Sequence, residues 1–194
     1  RDVLGSRGLG DVYKRQICSM LPIVLAAYRN GTKWGLLTGF VYAVVQMLLG
    51  FKTVSAFFMP SSDSYMVLWK AICVCLIDYI IAYTVLGFGG IFRNKIKNPS
   101  ASLCVGSIVA LSLRYLAHII SGYIFFGTWA EWFFSQEGFA LGAKILEKFS
   151  GQGLALLYSV IYNGLYMIPE IIITAIVALI IGRVPQITGK KSAE

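Results

Sequence analysis

Charged residues are scarce in this sequence of 194 residues: Asp, Glu, Lys and Arg make up 13% of the chain, whereas hydrophobic residues make up 57%. A soluble domain contains about 25% charged residues. The charged fraction here is too small to cover a water-exposed surface, and the apolar residues form long runs without the period of a strand or of an amphipathic helix. The composition therefore predicts an all-α integral membrane protein whose helices face lipid.

The sequence also lacks the signatures of common enzymes. It has no GxxxxGK[ST] phosphate-binding loop, no GxSxG nucleophile motif and no HExxH zinc motif. A single histidine, His118, excludes a multi-histidine metal site. The cysteines lie in apolar runs without metal-ligand spacing and support neither a zinc site nor a disulfide: Cys18, Cys73, Cys75 and Cys104. We therefore predict that the chain is not an enzyme and has no catalytic or metal-ligating residues.

The net charge of +8 would suggest nucleic acid as a partner in a soluble protein. Here Lys and Arg cluster in short breaks between the apolar runs. In a membrane protein such residues determine topology and contact anionic lipid headgroups. We predict membrane lipid, and no nucleic acid, as the partner of these charges.

Five apolar stretches follow a polar, glycine-rich segment at residues 1–16, which we expect to be non-native or disordered. The stretches are 17–28, 34–51, 66–92, 101–126 and 153–182. A membrane-spanning helix needs about 20 residues, so the first stretch is short and the other four are adequate. The sequence predicts a helical bundle of five spans over residues 17–183, followed by a tail at 184–194.

Basic residues occupy alternate connections and the tail, and should be cytoplasmic: Arg29, Lys33, Arg93, Lys95, Lys97, Arg183, Lys190 and Lys191. The other two connections also contain acids and should face outward: Asp63, Glu131, Glu137 and Glu147. Residues 129–149 mix aromatic and apolar residues with charges. They predict either a short amphipathic helix that caps a pocket from outside or an aromatic belt at headgroup level.

Ionisable residues inside the predicted spans each cost roughly 2.5 to 3.5 kcal/mol on insertion scales and need a partner or a purpose. Asp78 lies midway along the third stretch, Arg114 and His118 share one face of the fourth, and Glu170 follows Pro169 in the fifth. Asp78 could form a buried ion pair with Arg114. The favoured alternative is a ligand role, because Tyr79 and Tyr83 could give the carboxylate aromatic walls suited to a flat, positively charged ligand.

Two further polar residues in the last stretch are candidates. Tyr158 and Asn163 lie in its outer half, and the glycine after Asn163 allows close approach to an amide that can donate and accept. Interhelical hydrogen bonding is the alternative for Asn163, and a satisfied core position is the alternative for His118. Pro169 should kink the helix, and Glu170 is assigned to local packing.

Four sequence landmarks then occur in a fixed order. They are LPIVLAAYRNG leading into GLLTGFVYAVVQMLLG, the pair Asp78–Tyr79, RYLAHIISGYIFF, and YSVIYNG. Together they resemble the thiamine-specific substrate-binding (S) component of energy-coupling factor (ECF) transporters. The resemblance implies a six-helix fold whose first helix is missing here. It also implies high-affinity capture of thiamine outside a bacterial plasma membrane, and coupling to a transmembrane subunit and two cytoplasmic ATPases.

The resemblance also implies a ligand site, with no cofactor beyond the ATP used by the partner subunits. Asp78 stands where the family has a glutamate, Tyr79 is adjacent, and Phe126 stands where the family has a stacking tryptophan, which Trp129 or Trp132 could replace. His118, Tyr158 and Asn163 match family positions directly. The alternatives are another vitamin or precursor, such as hydroxymethylpyrimidine or riboflavin, and a membrane scaffold or enzyme.

Overall fold

The computed structural model describes residues 18–136 and 139–189. The predictions for residues 1–16, Glu137, Lys190 and Lys191 lie outside these ranges. Within them every regular element is helical, in the order α1 (Leu21–Asn30), α2 (Thr32–Leu49), α3 (Phe51–Ala56), α4 (Leu68–Gly90), α5 (Pro99–Phe125), α6 (Ala130–Phe134), α7 (Gly142–Lys148), α8 (Gly151–Ile181) and α9 (Pro185–Thr188).

Four of these helices, α2, α4, α5 and α8, are long and apolar enough to cross a membrane. Their ends fall within two residues of four of the predicted stretches, which confirms those predictions. The first stretch forms α1, a helix of 10 residues. At most 39% of the residues in any of the four spanning windows are buried. Since the remaining positions are mostly large apolar side chains, the chain is an all-α integral membrane bundle with lipid-facing helices.

The chain divides into two compact units. Among the described residues, the first comprises 18–39, 84–113 and 166–189. Its helices approach closely at glycine: a Cβ added to Gly106 would lie 2.1 Å from the backbone oxygen of Gly89, and one added to Gly90 would lie 2.3 Å from the backbone oxygen of Ala27. Such contacts are how helices pack in lipid, where the hydrophobic effect offers no drive for association.

Glu170 belongs to this first unit, where its carboxylate accepts a hydrogen bond from the backbone N–H of Cys18 at 3.3 Å. Thr174 donates to the other carboxylate oxygen at 3.4 Å. Through these bonds Glu170 packs locally, against the backbone that precedes α1 and against a residue of its own helix. Pro169 lies inside α8, and the helix continues through it.

The second unit comprises the described residues 40–83, 114–136 and 139–165, and it contains all eight predicted site residues. Two groups of buried side chains organise it. The Val74 cluster consists of Val54, Phe57, Ala71, Val74 and Cys75. The Tyr158 cluster consists of Ala130, Phe134, Leu154 and Tyr158. The Tyr158 cluster draws on the region predicted to cap a pocket, which forms two short helices, α6 and α7, rather than one.

Candidate functional site

Asp78 lies at the centre of an irregular segment of α4. Residues Cys75–Ile81 form a π-helix, in which backbone hydrogen bonds run from residue i to residue i+5. Such segments are rare and occur frequently at functional sites, because the wider turn redirects side chains from the positions a regular helix would give them. Asp78 is therefore presented by a distorted turn within a spanning helix.

Two side chains of α5 hold the Asp78 carboxylate. Nδ1 of His118 lies 2.9 Å from one carboxylate oxygen, and the Ser121 hydroxyl donates to the other at 2.7 Å. His118 and Ser121 are three residues apart, so they share one face of α5. The side chains of His118 and Asp78 are 11% and 19% exposed, so both are largely buried, and Nε2 of His118 lies within the buried part.

This arrangement determines which chemical groups a ligand must carry to bind Asp78 and His118. A carboxylate has about four lone-pair positions, and His118 and Ser121 each use one, so Asp78 can still accept from a ligand. Because Nδ1 of His118 donates to the carboxylate, the neutral imidazole has its lone pair on Nε2. A group that contacts Nε2 must therefore be a hydrogen-bond donor. The pair is suited to a cation or to a ligand with N–H or O–H groups.

Arg114 does not pair with Asp78. Its guanidinium lies 4.7 Å from the centre of the Tyr83 ring, and the residue is 2% exposed. Within the described residues of the second unit, the side-chain hydrogen-bond partners of Asp78 are His118 and Ser121. The alternative of an Asp78–Arg114 ion pair is therefore wrong, since Arg114 makes a cation–π contact instead.

Asn163 joins α8 to α5 just beside this pair. Its amide nitrogen donates to the backbone oxygens of Ser159, at 2.8 Å, and of His118, at 3.2 Å. The Ser159 hydroxyl donates to the backbone oxygen of Ile119 at 2.7 Å. A Cβ on Gly122 would lie 2.2 Å from that hydroxyl, so only glycine allows this approach. The bond from Asn163 to His118 joins two helices. It corresponds to the interhelical hydrogen bonding that the sequence analysis gave as the alternative role of Asn163.

The aromatic candidates are divided between the two clusters. Tyr79 and Phe126 pack against the Val74 cluster, and Phe126 also packs against the Tyr158 cluster. The Tyr158 ring lies 5.5 Å from that of Tyr162, and both rings contact Phe133. Phe126 is therefore the predicted aromatic residue that the two clusters share.

Trp129 and Trp132 form an edge-to-face pair with ring centres 5.9 Å apart. Among the described residues neither makes a hydrogen bond or ring contact with Asp78 or His118. Trp132 instead lines a shallow groove of about 470 Å³ together with Glu131, Ser135, Leu146, Phe149, Ser150 and Leu154. Their assignment as ligand residues stays a prediction.

Ser121 and Phe133 are the residues that sequence reasoning missed. Ser121 completes the hydrogen bonding of Asp78, and Phe133 contacts both Tyr158 and Tyr162. The spacing of Ser121 from His118 was a usable signal, because residues three apart on a helix share a face. No comparable signal marked Phe133, whose role depends on the turn between α5 and α6.

A lipid-facing helical bundle defines a membrane protein, and a partly exposed carboxylate with donors and aromatic rings in the same unit is an arrangement that could hold a small ligand. A family model described as thiamine transporter protein (Thia_YuaJ) matches residues 9–136. The chain is also 30% identical over 167 residues to the thiamine transporter ThiT of Bacillus subtilis (strain 168), an alignment that covers 81% of this chain and 69% of that protein. The chain therefore belongs to the thiamine transporter family. The family match includes six of the eight predicted site residues; Tyr158 and Asn163 lie beyond its end.

Proposed function

We propose that this chain is the thiamine-binding S component of an ECF-type uptake transporter in a bacterial plasma membrane. The observation that carries the proposal is the Asp78 carboxylate, held inside a spanning helix by His118 and Ser121 and still partly exposed. Placing a carboxylate at membrane depth costs free energy, and a bound cation would offset part of that cost. Membership of the thiamine transporter family supports thiamine as that cation.

In this proposal Asp78 offsets the thiazolium charge. Nε2 of His118 accepts a hydrogen bond from the amino group or the hydroxyl group of thiamine, consistent with the bond that Nδ1 makes to Asp78. Tyr158 and Asn163 contact the remaining polar groups of the ligand. Tyr79 and Phe126 stack on its rings, with Trp129 and Trp132 nearer the entrance.

The transport step uses partner subunits. The resemblance to S components supports coupling to a transmembrane subunit and two cytoplasmic ATPases, which consume ATP. Thiamine is captured with high affinity from outside, and the C-terminus is cytoplasmic because Arg93, Lys95 and Arg183 lie in connections on the same predicted side. Labelling of single cysteines introduced at exposed Asp63 and Arg183 in intact cells tests this orientation.

The proposal is tested by titrating detergent-purified protein with thiamine and following tryptophan fluorescence. Asp78→Asn keeps the shape of the side chain and removes its charge, so we expect thiamine binding to weaken about 30-fold or more, as for the loss of a buried charged partner. Asp63→Asn removes an exposed acid from a connection and is the matched control. Wild-type affinity in Asp78→Asn would refute the proposal.

The identity of the vitamin is tested by competition. Hydroxymethylpyrimidine and riboflavin are added against labelled thiamine bound to the wild-type protein. Thiamine should displace the label at far lower concentration than either competitor, because neither carries the thiazolium cation that Asp78 offsets. Stronger displacement by riboflavin or by the pyrimidine would transfer the assignment to that compound.

A further inference from the structure

The groove of about 470 Å³ beside Trp132 contains an acidic residue, Glu131, that has no role in the proposed function. Cavities of this size are large enough to hold a small ligand. The groove is formed by α6, α7 and the beginning of α8, and Leu154 in its lining belongs to the first turn of α8. Since α8 is a spanning helix, the groove lies at the level where the chain meets the phospholipid headgroups.

Part of the groove lining offers acceptors for a cation. Glu131 and Ser135 are four residues apart and therefore lie on one face of the chain at α6. Among the described residues the Glu131 carboxylate makes neither an ion pair nor a side-chain hydrogen bond. The Ser135 hydroxyl donates to the backbone oxygen of Trp132 at 2.8 Å, so its own lone pairs can still accept. With the half-exposed Trp132 ring, these groups suit a primary ammonium, which has a positive charge and three N–H donors.

The rest of the lining is apolar and adjoins a basic residue. Leu146, Phe149 and Leu154 supply the apolar surface, and Leu146 and Leu154 also pack in or against the Tyr158 cluster. The Lys148 ammonium lies 6.0 Å from the centre of the Phe149 ring, beside the groove. Among the described residues Lys148 forms no ion pair with an acid. The groove therefore presents an acid, a base and an apolar surface, and the two charges are not paired with each other.

We propose that this groove binds an aminophospholipid of the phosphatidylethanolamine type. The ammonium of the headgroup contacts Glu131, Ser135 and the Trp132 ring, the phosphate lies near Lys148, and the glycerol and first methylenes cover the apolar lining. The charges of the headgroup sum to zero, as do those of Glu131 and Lys148. A free organic cation would match Glu131 alone, and an anionic lipid would match Lys148 alone. The site does not depend on the binding of thiamine.

The site is tested by thermal unfolding of the purified full chain in detergent, without thiamine, after addition of phosphatidylethanolamine or phosphatidylcholine with the same acyl chains. Choline has methyl groups in place of the N–H donors, so phosphatidylethanolamine should give a Tm about 2 to 6 °C higher. Glu131→Gln should abolish this difference. Glu147→Gln removes another exposed acid, from α7 but outside the groove lining, and should keep it. Equal effects of the two lipids on the wild-type protein, or a difference that survives in Glu131→Gln, overturn the proposal.

Two other additions distinguish the alternative occupants. Phosphatidylglycerol has a phosphate and no ammonium, so it should raise the Tm less than phosphatidylethanolamine does. Free ethanolamine has the ammonium without the phosphate and the chains, and it should leave the Tm unchanged at the same concentration. An equal rise with phosphatidylglycerol would overturn the assignment to a zwitterionic lipid, and an equal rise with ethanolamine would overturn the assignment to a lipid.

The position of the lipid is tested by tryptophan fluorescence, because bromine atoms on the acyl chains of phosphatidylethanolamine quench tryptophans close to them. Quenching of the wild-type protein should saturate as the lipid is added. The saturable part should be smaller in Trp132→Phe than in Trp34→Phe, which removes an exposed tryptophan from the first unit. Equal saturable quenching in the two variants would overturn the assignment of the lipid to this groove.

Discussion

At the scale of single residues, the Asp78 carboxylate is stabilised by hydrogen-bond donors rather than by a salt bridge to an arginine. Two donors from α5 stabilise the carboxylate without cancelling its charge, whereas an ion pair with Arg114 would have cancelled it. A carboxylate arranged in this way keeps its attraction for an incoming cation. In the proposed function, His118 and Ser121 therefore hold Asp78 for the ligand even where they do not touch it.

Ser121→Ala tests this role. The substitution removes the 2.7 Å hydrogen bond to Asp78 and leaves one carboxylate oxygen without its donor. Hydrogen bonds to charged groups contribute about 1.5 to 3 kcal/mol, so we expect thiamine affinity to fall about 10-fold or more. Fluorescence titration gives the affinity.

Ser107→Ala is the matched control, because Ser107 is a buried serine on the same helix that donates to its own backbone at Leu103. Equal affinities in the two variants would show that Ser121 does not act through Asp78.

Sequence reasoning found the ionisable residues of this site but not all of their partners. Asp78 and His118 were recognisable because charged and imidazole groups are rare in apolar helices. Their mutual contact was not, since a helical period identifies the face of a residue but not the neighbour it meets. The less favoured alternative, a pairing of Asp78 with Arg114, is wrong for the same reason: opposite charges predict attraction, and packing decides which group is within reach.

At the scale of helices, the ends of four spans could be predicted because hydropathy changes sharply where the chain leaves the apolar region. The π-helical segment Cys75–Ile81 could not be predicted. Its residues have no distinctive propensity, and the bonds of Asp78 to His118 and Ser121 within it join residues about 40 positions apart. The same limit applies to α6 and α7, since the sequence left residues 129–149 open between one short amphipathic helix and an aromatic belt.

Close packing of α5 on α8 should make Gly122 intolerant of substitution. In Gly122→Ala the new Cβ would lie 2.2 Å from the Ser159 hydroxyl, which is already bonded to Ile119. We expect the protein to lose about 1 to 3 kcal/mol of stability from this overpacking, measured as a lower Tm in detergent.

Gly153→Ala in α8 is the control, because the nearest atom to its added Cβ is 3.9 Å away. Replacing a helical glycine with alanine where space exists should be neutral or stabilising. A Tm for Gly122→Ala at or above that of Gly153→Ala would contradict the close approach seen here.

At the scale of the whole molecule, the predicted site residues and the Glu170 contact lie in different units. The second unit contains all eight predicted site residues, and the first contains the close contacts at Gly89, Gly90 and Gly106 and the Glu170 contact. Composition alone was enough to predict the membrane class, because a low charged fraction holds for the chain as a whole. The division into units depends on long-range contacts and could not be predicted from the sequence.

The lipid-facing surface leads to a prediction about insertion. Leu116 is 52% exposed within α5, so Leu116→Arg would place a charge against hydrocarbon at a cost of roughly 2.5 to 3.5 kcal/mol. We expect much less protein in the membrane fraction after expression, as judged by quantitative immunoblotting.

Leu141→Arg changes a residue that is 60% exposed but lies outside the spanning helices, and it should insert normally. Equal yields of the two variants would mean that the exposed face of α5 does not meet lipid.

The glycine contacts of the first unit have a consequence for the substitutions that this sequence can accept during evolution. Lipid tails are as apolar as leucine, so exchanging one large apolar side chain for another on an outward face changes little. The positions at Gly89, Gly90 and Gly106 allow no such freedom, because any side chain there would meet backbone or a packed neighbour. The smallest residues of the bundle, rather than its largest, are therefore the ones whose loss the protein can least tolerate.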